Sequence, residues 1–247
     1  MNLLKVIKID IINILKNPIL VLYNTIYPLI LIGLFGFIAN GNYGGEGVTS
    51  YDYYGITMII FTVLYIALTA SNTFMEKKVK KGNVRLIYSP TSKTIIFLSK
   101  IFSTFIFASV LFTIILIIEK YILGINLGGE NFIYIIALLI SFNLLMCSFG
   151  ASMCCIFKSE EATNKFLSPI NMLLALLGGL FFPVDNLGKT VEKLSYISPV
   201  KWISECIFKI IYDKDFSMFV PAIAICISSS LIFIILCQIT FKPEEYI

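Results

Sequence analysis

Along this chain, hydrophobic and polar positions alternate on the scale of whole membrane thicknesses rather than single helix turns. Long apolar runs stand at 19–39, 53–75, 94–118, 132–157, 166–182 and 218–239. An α-helix needs roughly 20 such residues to cross about 30 Å of hydrocarbon, with a usable range of roughly 17–25. The pattern therefore predicts an all-α polytopic membrane protein with six transmembrane helices. The stretches between them carry loop chemistry: NGNYGGEGVTSYD after the first run, a basic EKKVKKGNVRLIYSPTSK after the second, and a brief charged KSEEATNK after the fourth. Residues 183–216 are longer and moderately polar.

The first seventeen residues follow a different period. In LLKVIKIDIINILKN, Leu3, Leu4, Ile7, Ile11, Ile14 and Leu15 recur at helical spacing as one stripe. Lys5, Lys8, Asp10, Asn13, Lys16 and Asn17 occupy the rest of the circumference. A helix of this kind lies in the membrane interface with its lysines toward anionic headgroups. Pro18 then suits a turn from the membrane plane into the first span.

Composition agrees. The 247 residues are 58% hydrophobic and 14% charged, with a mean hydropathy of +0.90. A soluble domain is roughly 45–50% apolar and about 25% charged, so no sizeable soluble domain fits beside the spans. The net charge of +4 does not point to nucleic acid, because its lysines sit between apolar runs and read as orientation signals. Lys5, Lys8 and Lys16, then Lys77, Lys78, Lys80, Lys81, Arg85 and Lys93, then Lys158, Lys165 and Lys242 fall on one side. On the other, Lys189, Lys193, Lys201, Lys209 and Lys214 are offset by Asp185, Glu192, Glu205, Asp213 and Asp215. The positive-inside rule puts both termini in the cytoplasm.

Catalytic chemistry is hard to build from these residues. There is no histidine, which excludes HExxH metalloproteases and Ser–His dyads on this chain. The centres of the six spans lack Asp, Glu, Lys and Arg, so no intramembrane proton relay is evident. Glu119 and Lys120 are expected at an interface, where they cost little. Cys147, Cys154, Cys155, Cys226 and Cys237 lie in apolar runs and Cys206 is expected in a loop. No paired CxxC motif accompanies them, so they read as packing residues and no metal site is expected. The stretch PVDNLGKT at 183–190 approaches a phosphate loop but has Pro183 for its first glycine and a membrane run before it. The amides Asn24, Asn143 and Asn171 have interhelical hydrogen bonding as their ordinary role, at roughly 1 kcal/mol each. Their sharper role is to line a path for an amphipathic substrate.

Two segments resemble a known family. EKKVKKGNVRLIYSPTSKTIIFLSK, residues 76–100, looks like the first cytoplasmic loop of ABC-2 type export permeases. Glu76, Gly82, Arg85, Leu86, Ser89, Pro90 and Lys100 match its pattern, and Lys81 lies among them. GGLFFPVDNLGKTVEKLSYISPVKW, residues 178–202, is similar to the stretch before the family's last span. Gly179, Phe181, Phe182, Pro183, Ser198 and Pro199 match there. Leu187, Gly188 and Lys189 stand where the family often has a proline and then a tryptophan.

The resemblance implies a single transmembrane domain over 1–247. Its parts would be a connecting helix at 1–17, a coupling loop at 76–93 and a re-entrant gate segment at 183–200. It further implies docking on a separate ATP-hydrolysing subunit through Glu76, Lys81, Gly82, Arg85, Leu86, Ser89 and Pro90, with Glu160 and Glu161 of the second cytoplasmic loop. ATP and magnesium would bind that ABC ATPase partner, and no cofactor is expected on this chain. Phe181, Phe182, Pro183 and Pro199 would form the outer gate. Half a transporter calls for a second permease subunit, identical or homologous. The function expected is export of an amphipathic antimicrobial peptide, drug or lipid. The alternatives are a passive channel or lipid scramblase, or a membrane partner of a signalling protein.

Overall fold

The computed structural model describes residues 3–40, 47–75, 92–184 and 188–242. Its helices are α1 (Leu3–Leu15), α2 (Pro18–Ile38), α3 (Ser50–Met75), α4 (Lys93–Tyr121), α5 (Phe132–Phe157) and α6 (Glu160–Leu177). Two short helices, α7 (Lys189–Ser195) and α8 (Pro199–Phe208), precede α9 (Phe219–Thr240). Among the described residues, α2, α3, α5 with its preceding turn, α4 and α9 make 5 helices long and apolar enough to cross a membrane. Their ends lie within a few residues of the apolar runs, because each run stops where polar or glycine-rich sequence begins.

α6 departs from its predicted boundaries. The run 166–182 suggests a helix that includes Phe181 and Phe182, but the helix occupies Glu160–Leu177. Its start is set by Ser159, whose hydroxyl accepts from the Ala162 N–H, a standard N-cap. Glu160 and Glu161 then sit in the first turn, where the helix dipole favours negative charge. Its end is set by Gly178 and by Gly179, which takes φ 72°, a left-handed conformation that suits glycine. At 18 residues it is about 27 Å long, and its polar first turns keep it out of the long apolar class.

α3 is the centre of the bundle. In its apolar stretch 89% of residues are buried, against 28% for α2 and 17% for α9. A helix buried all round belongs at the middle of a bundle, and the two sparsely buried helices at its periphery. The tightest seam is between α3 and α5. A Cβ on Gly150 would stand 2.1 Å from the Ala67 carbonyl oxygen, so the two backbones touch there. One turn on, the Cys154 thiol reaches the Ser71 carbonyl at 3.8 Å. Small residues let backbones approach in this way, and in lipid such packing replaces the hydrophobic effect as the driving force.

α1 docks on α4 by a face that includes its one acid. Val6, Ile7, Asp10 and Ile14 are buried, while Leu4 and Leu15 are exposed. The reason is electrostatic. Asp10, expected among the polar positions, turns inward and pairs with Lys100 of α4 at 2.5 Å, with Ser99 donating to its second oxygen. Both charged side chains are almost fully buried. The α4 span thus carries an ionisable residue two turns from its start, and only the centres of the spans are free of them.

Glu119 is a second correction. Its position near the end of α4 suggests an exposed interface where a carboxylate costs little, yet it is fully buried. Both its carboxylate oxygens lack a hydrogen-bond partner among the described residues. The chain folds the turn after α4 back over it, with the Ile125 N–H bonding the Glu119 carbonyl at 3.1 Å.

All six cysteines are buried and none is in a disulfide. Cys206, expected in a loop, lies inside α8, and burial pushes its thiol up to about 11. Because the thiolate is the reactive form, the native chain is expected to resist maleimide at neutral pH. The unfolded chain should label fully. Labelling of Cys206 should rise only as the pH climbs toward that value. Rapid labelling of native protein at neutral pH, counted by mass spectrometry, would show the packing to be wrong.

Candidate gate and translocation site

The end of the bundle far from α1 is built around the exposed carbonyls that follow α6. The last four carbonyls of a helix have no partner inside it. Here hydroxyls from other helices add donors, at Leu174 beside the Gly178 N–H that already bonds its carbonyl at 2.8 Å. Ser198 bonds the Leu174 carbonyl at 3.0 Å and Ser204 bonds that of Gly178 at 3.0 Å. Tyr53 and Tyr54 of α3 reach the carbonyls of Gly179 and Phe181, at 2.5 and 2.9 Å. The turn that reverses the chain after α6 is therefore held from α3 on one side and α8 on the other. Gly178 is required for this closeness, since a Cβ there would lie 2.3 Å from Val200.

The four predicted gate residues separate in space. Phe181 points inward and packs edge-on against Phe35 and Phe61, at 6.0 and 5.5 Å between ring centres. Phe182 is exposed. Pro183 lines a cavity beside the turn. Pro199 opens α8 at its first position, where a missing N–H costs nothing.

The predicted path residues each bridge a different pair of helices. Asn24 of α2 donates to the Thr69 hydroxyl of α3 at 3.1 Å and to the Leu20 carbonyl. Asn143 of α5 donates to the Phe105 carbonyl and Ser109 hydroxyl of α4, at 3.0 and 2.9 Å. Asn171 of α6 reaches the Leu64 carbonyl of α3 at 3.4 Å, and its own oxygen has no partner among the described residues. All three are buried.

At the α1 end, Glu160 and Glu161 stand on the first turn of α6. Glu161 pairs with Lys165 at 2.7 Å, with both side chains more than 70% exposed, a pair worth little to stability. Glu76, Lys81, Gly82, Arg85, Leu86, Ser89 and Pro90 lie outside the described residues. The nearest described elements on either side are tied to α6 and α9: Asn164 donates to the Asn72 side chain at 2.7 Å, and Phe74 and Phe97 pack edge-on against Phe241.

Sequence reasoning missed several residues that build these two ends: Tyr53, Tyr54, Ser204, and the Asp10–Lys100 pair. The tyrosines open a span and look like interface aromatics, and nothing local shows that they reach across 126 and 127 positions. Asp10 did carry a signal, as the sole acid in an otherwise basic N-terminal helix.

A helical bundle with five membrane-length helices among the described residues and a hydroxyl-clamped turn before the last of them is the architecture of a multi-pass membrane protein. The ABC-2 type transporter family profile matches residues 2–212, and the chain belongs to that family. It is a multi-pass membrane protein of the permease type. It is also similar to the linearmycin resistance permease protein LnrN of Bacillus subtilis (strain 168), with 24% identity over 154 residues. The matched stretch is 61% of this chain and spans 40% of that relative's length.

Proposed function

We propose that this chain is the permease subunit of an ATP-driven exporter that moves an amphipathic molecule out of the cytoplasm or the membrane. The family match over residues 2–212 carries the reading. The name of the linearmycin resistance relative favours an antimicrobial compound as cargo. In this reading α6 completes six crossings, α1 lies in the interface, and both termini are cytoplasmic. The α1 end then faces the cytoplasm, and the Gly178–Pro183 turn with α7 and α8 forms a re-entrant outer gate.

Energy comes from an ABC ATPase, which binds ATP and magnesium and docks on residues 76–93 and 158–165. A second permease copy or homologue completes the pathway, and the exposed Phe182 is placed to face it. Closure of the ATPase dimer pushes on the two cytoplasmic loops and rocks the helices. The hydroxyl clamps of Tyr53, Tyr54, Ser198 and Ser204 keep the outer turn shut until then. Asn24, Asn143 and Asn171 exchange their present partners for substrate as the helices part.

Affinity purification of the tagged chain from native membranes in mild detergent tests this. A stoichiometric soluble protein with a phosphate loop is expected to accompany it. Arg85→Glu combined with Gly82→Pro is expected to abolish that association. Retention of the ATPase by the double variant sinks the docking assignment, and its absence from the unaltered chain sinks the exporter.

A further inference from the structure

Aromatic rings gather where α2 and α3 pass the middle of the bundle. Tyr23 and Tyr27, one turn apart on α2, stack with ring centres 5.1 Å apart and planes 11° apart. Phe61 and Tyr65, one turn apart on α3, have ring centres 4.4 Å apart. The hydrogen bond from Asn24 to Thr69, at 3.1 Å, ties the two helices at this level. The two pairs are neighbours, since the Tyr65 phenol interacts electrostatically with those of Tyr23 and Tyr27. The cluster is not closed over: Phe61 is buried, but Tyr27 is 39% exposed and Tyr23 and Tyr65 are half-buried.

Tyrosines of membrane proteins favour the two interfaces, where the hydroxyl meets water. These stand deeper. At 1.5 Å per residue, Tyr27 is about 14 Å along an α2 of about 31 Å, and Tyr65 is about 15 Å from the Met75 end of α3. A buried phenol usually finds a hydrogen-bond partner, yet none of the three tyrosine hydroxyls has one among the described residues. Pro28, inside α2, has no N–H for the Asn24 carbonyl, so the turn that carries Tyr27 also leaves a backbone acceptor without its usual donor. Charge then decides what such a cluster can hold. Residues 18–38 and 53–75 contain no Asp, Glu, Lys or Arg, so an anion would find no counter-charge on either helix. A cation needs none, because ring faces carry negative charge density and attract it most strongly where water is excluded. Alkylated ammonium groups are the ligands that clusters of rings typically recognise.

We infer that Tyr23, Tyr27, Phe61 and Tyr65 form a binding site for lipophilic organic cations, ammonium ions above all. The charged head lies against the rings, and the apolar tail runs along the exposed Ile26 and Ile30 of α2. The site deepens the exporter reading by giving the cargo a sign of charge, and rests on that reading only for the bound cation being cargo.

Tetraphenylphosphonium and tetraphenylborate share one shape and carry opposite charge, which makes the test direct. The full chain, purified in dodecyl maltoside, is dialysed to equilibrium against each ion separately, with protein-free micelles as the blank. Saturable binding of the phosphonium is expected, displaced by dodecyltrimethylammonium. Binding of the borate should be weaker by about tenfold or more, the ratio that one desolvated contact between a cation and a ring supplies. Tyr27→Leu with Tyr65→Leu should abolish the phosphonium site, whereas Tyr27→Phe with Tyr65→Phe should keep it, because the ring faces remain. Equal affinity for the two ions on the unaltered chain overturns the inference without any substitution, and so does a phosphonium site that survives the double leucine change. Because the binding needs no ATPase, its absence leaves the exporter untouched. If the chain binds the phosphonium but no ATPase accompanies it from native membranes, the exporter falls and the site stands.

Discussion

Gly150→Ala is expected to cost the chain at least the upper end of the roughly 1–3 kcal/mol typical of overpacking, although alanine is the better helix former. The new methyl would stand 2.1 Å from the Ala67 carbonyl oxygen and 2.8 Å from two further backbone atoms. A side chain in that position could rotate away, but backbone held in two helices cannot. Relief requires α3 and α5 to separate by about an ångström. That movement also pulls the Cys154 thiol from Ser71. Because α3 carries Tyr53 and Tyr54, the disturbance reaches the gate turn. Gly33→Ala is the matched control, since a Cβ there meets nothing within 4 Å. Helix propensity alone predicts a gain of up to about 1 kcal/mol for it. Thermal unfolding in detergent, followed by size-exclusion chromatography, compares the two. If both variants melt alike, the seam is not as close as described.

The second large effect concerns the pair between α1 and α4. Removing either Asp10 or Lys100 leaves a buried charge without its partner, which costs about 3–5 kcal/mol. Lys100→Met and Asp10→Leu, each alone, should therefore destabilise the chain severely. Made together they remove both charges, and the expected loss is small or even reversed, because an apolar pair needs no desolvation. A double-mutant cycle on thermal stability isolates the coupling. Additive effects of the two substitutions would show that the pair does not form. Beside it lies a cavity of about 20 Å³, lined in part by Asn13, Asn17 and Thr73, which has room for about one water. The rescued double variant should fold, yet transport less well if α1 must stay in register with α4 to carry motion from the cytoplasmic side.

Much of the architecture was legible before any contact was known. The α2, α3, α4, α5 and α9 boundaries follow the apolar runs, since a lysine, a glycine cluster or a proline interrupts each one. The rotation of α1 was not legible, because its stripe of leucines and isoleucines is as apolar toward lipid as toward protein. Only the position of Lys100, 90 residues away, selects the face with Asp10. α6 was misplaced because Phe166–Phe182 is apolar without being one helix. The cap at Ser159 and the left-handed Gly179 override hydropathy there. Phe181 and Pro183 mark the turn after α6 in the sequence, but the hydroxyls that hold that turn come from helices far away in sequence.

The sequence by itself determined the class of molecule. Transfer from water to hydrocarbon is a property of each residue and sums along a run, so the spans at α2, α3, α4, α5 and α9, their approximate ends and the absence of histidine chemistry need no partner to be read. Only the tertiary structure decided which faces meet. Inside lipid, apolar surface gains little by meeting apolar surface, so the pairing of helices rests on a few specific contacts: Gly150 against Ala67, Asp10 with Lys100, and the hydroxyls of Tyr53, Tyr54 and Ser204 on the turn after α6. Each of these joins residues that a linear reading sees separately, and each depends on geometry that no single residue carries.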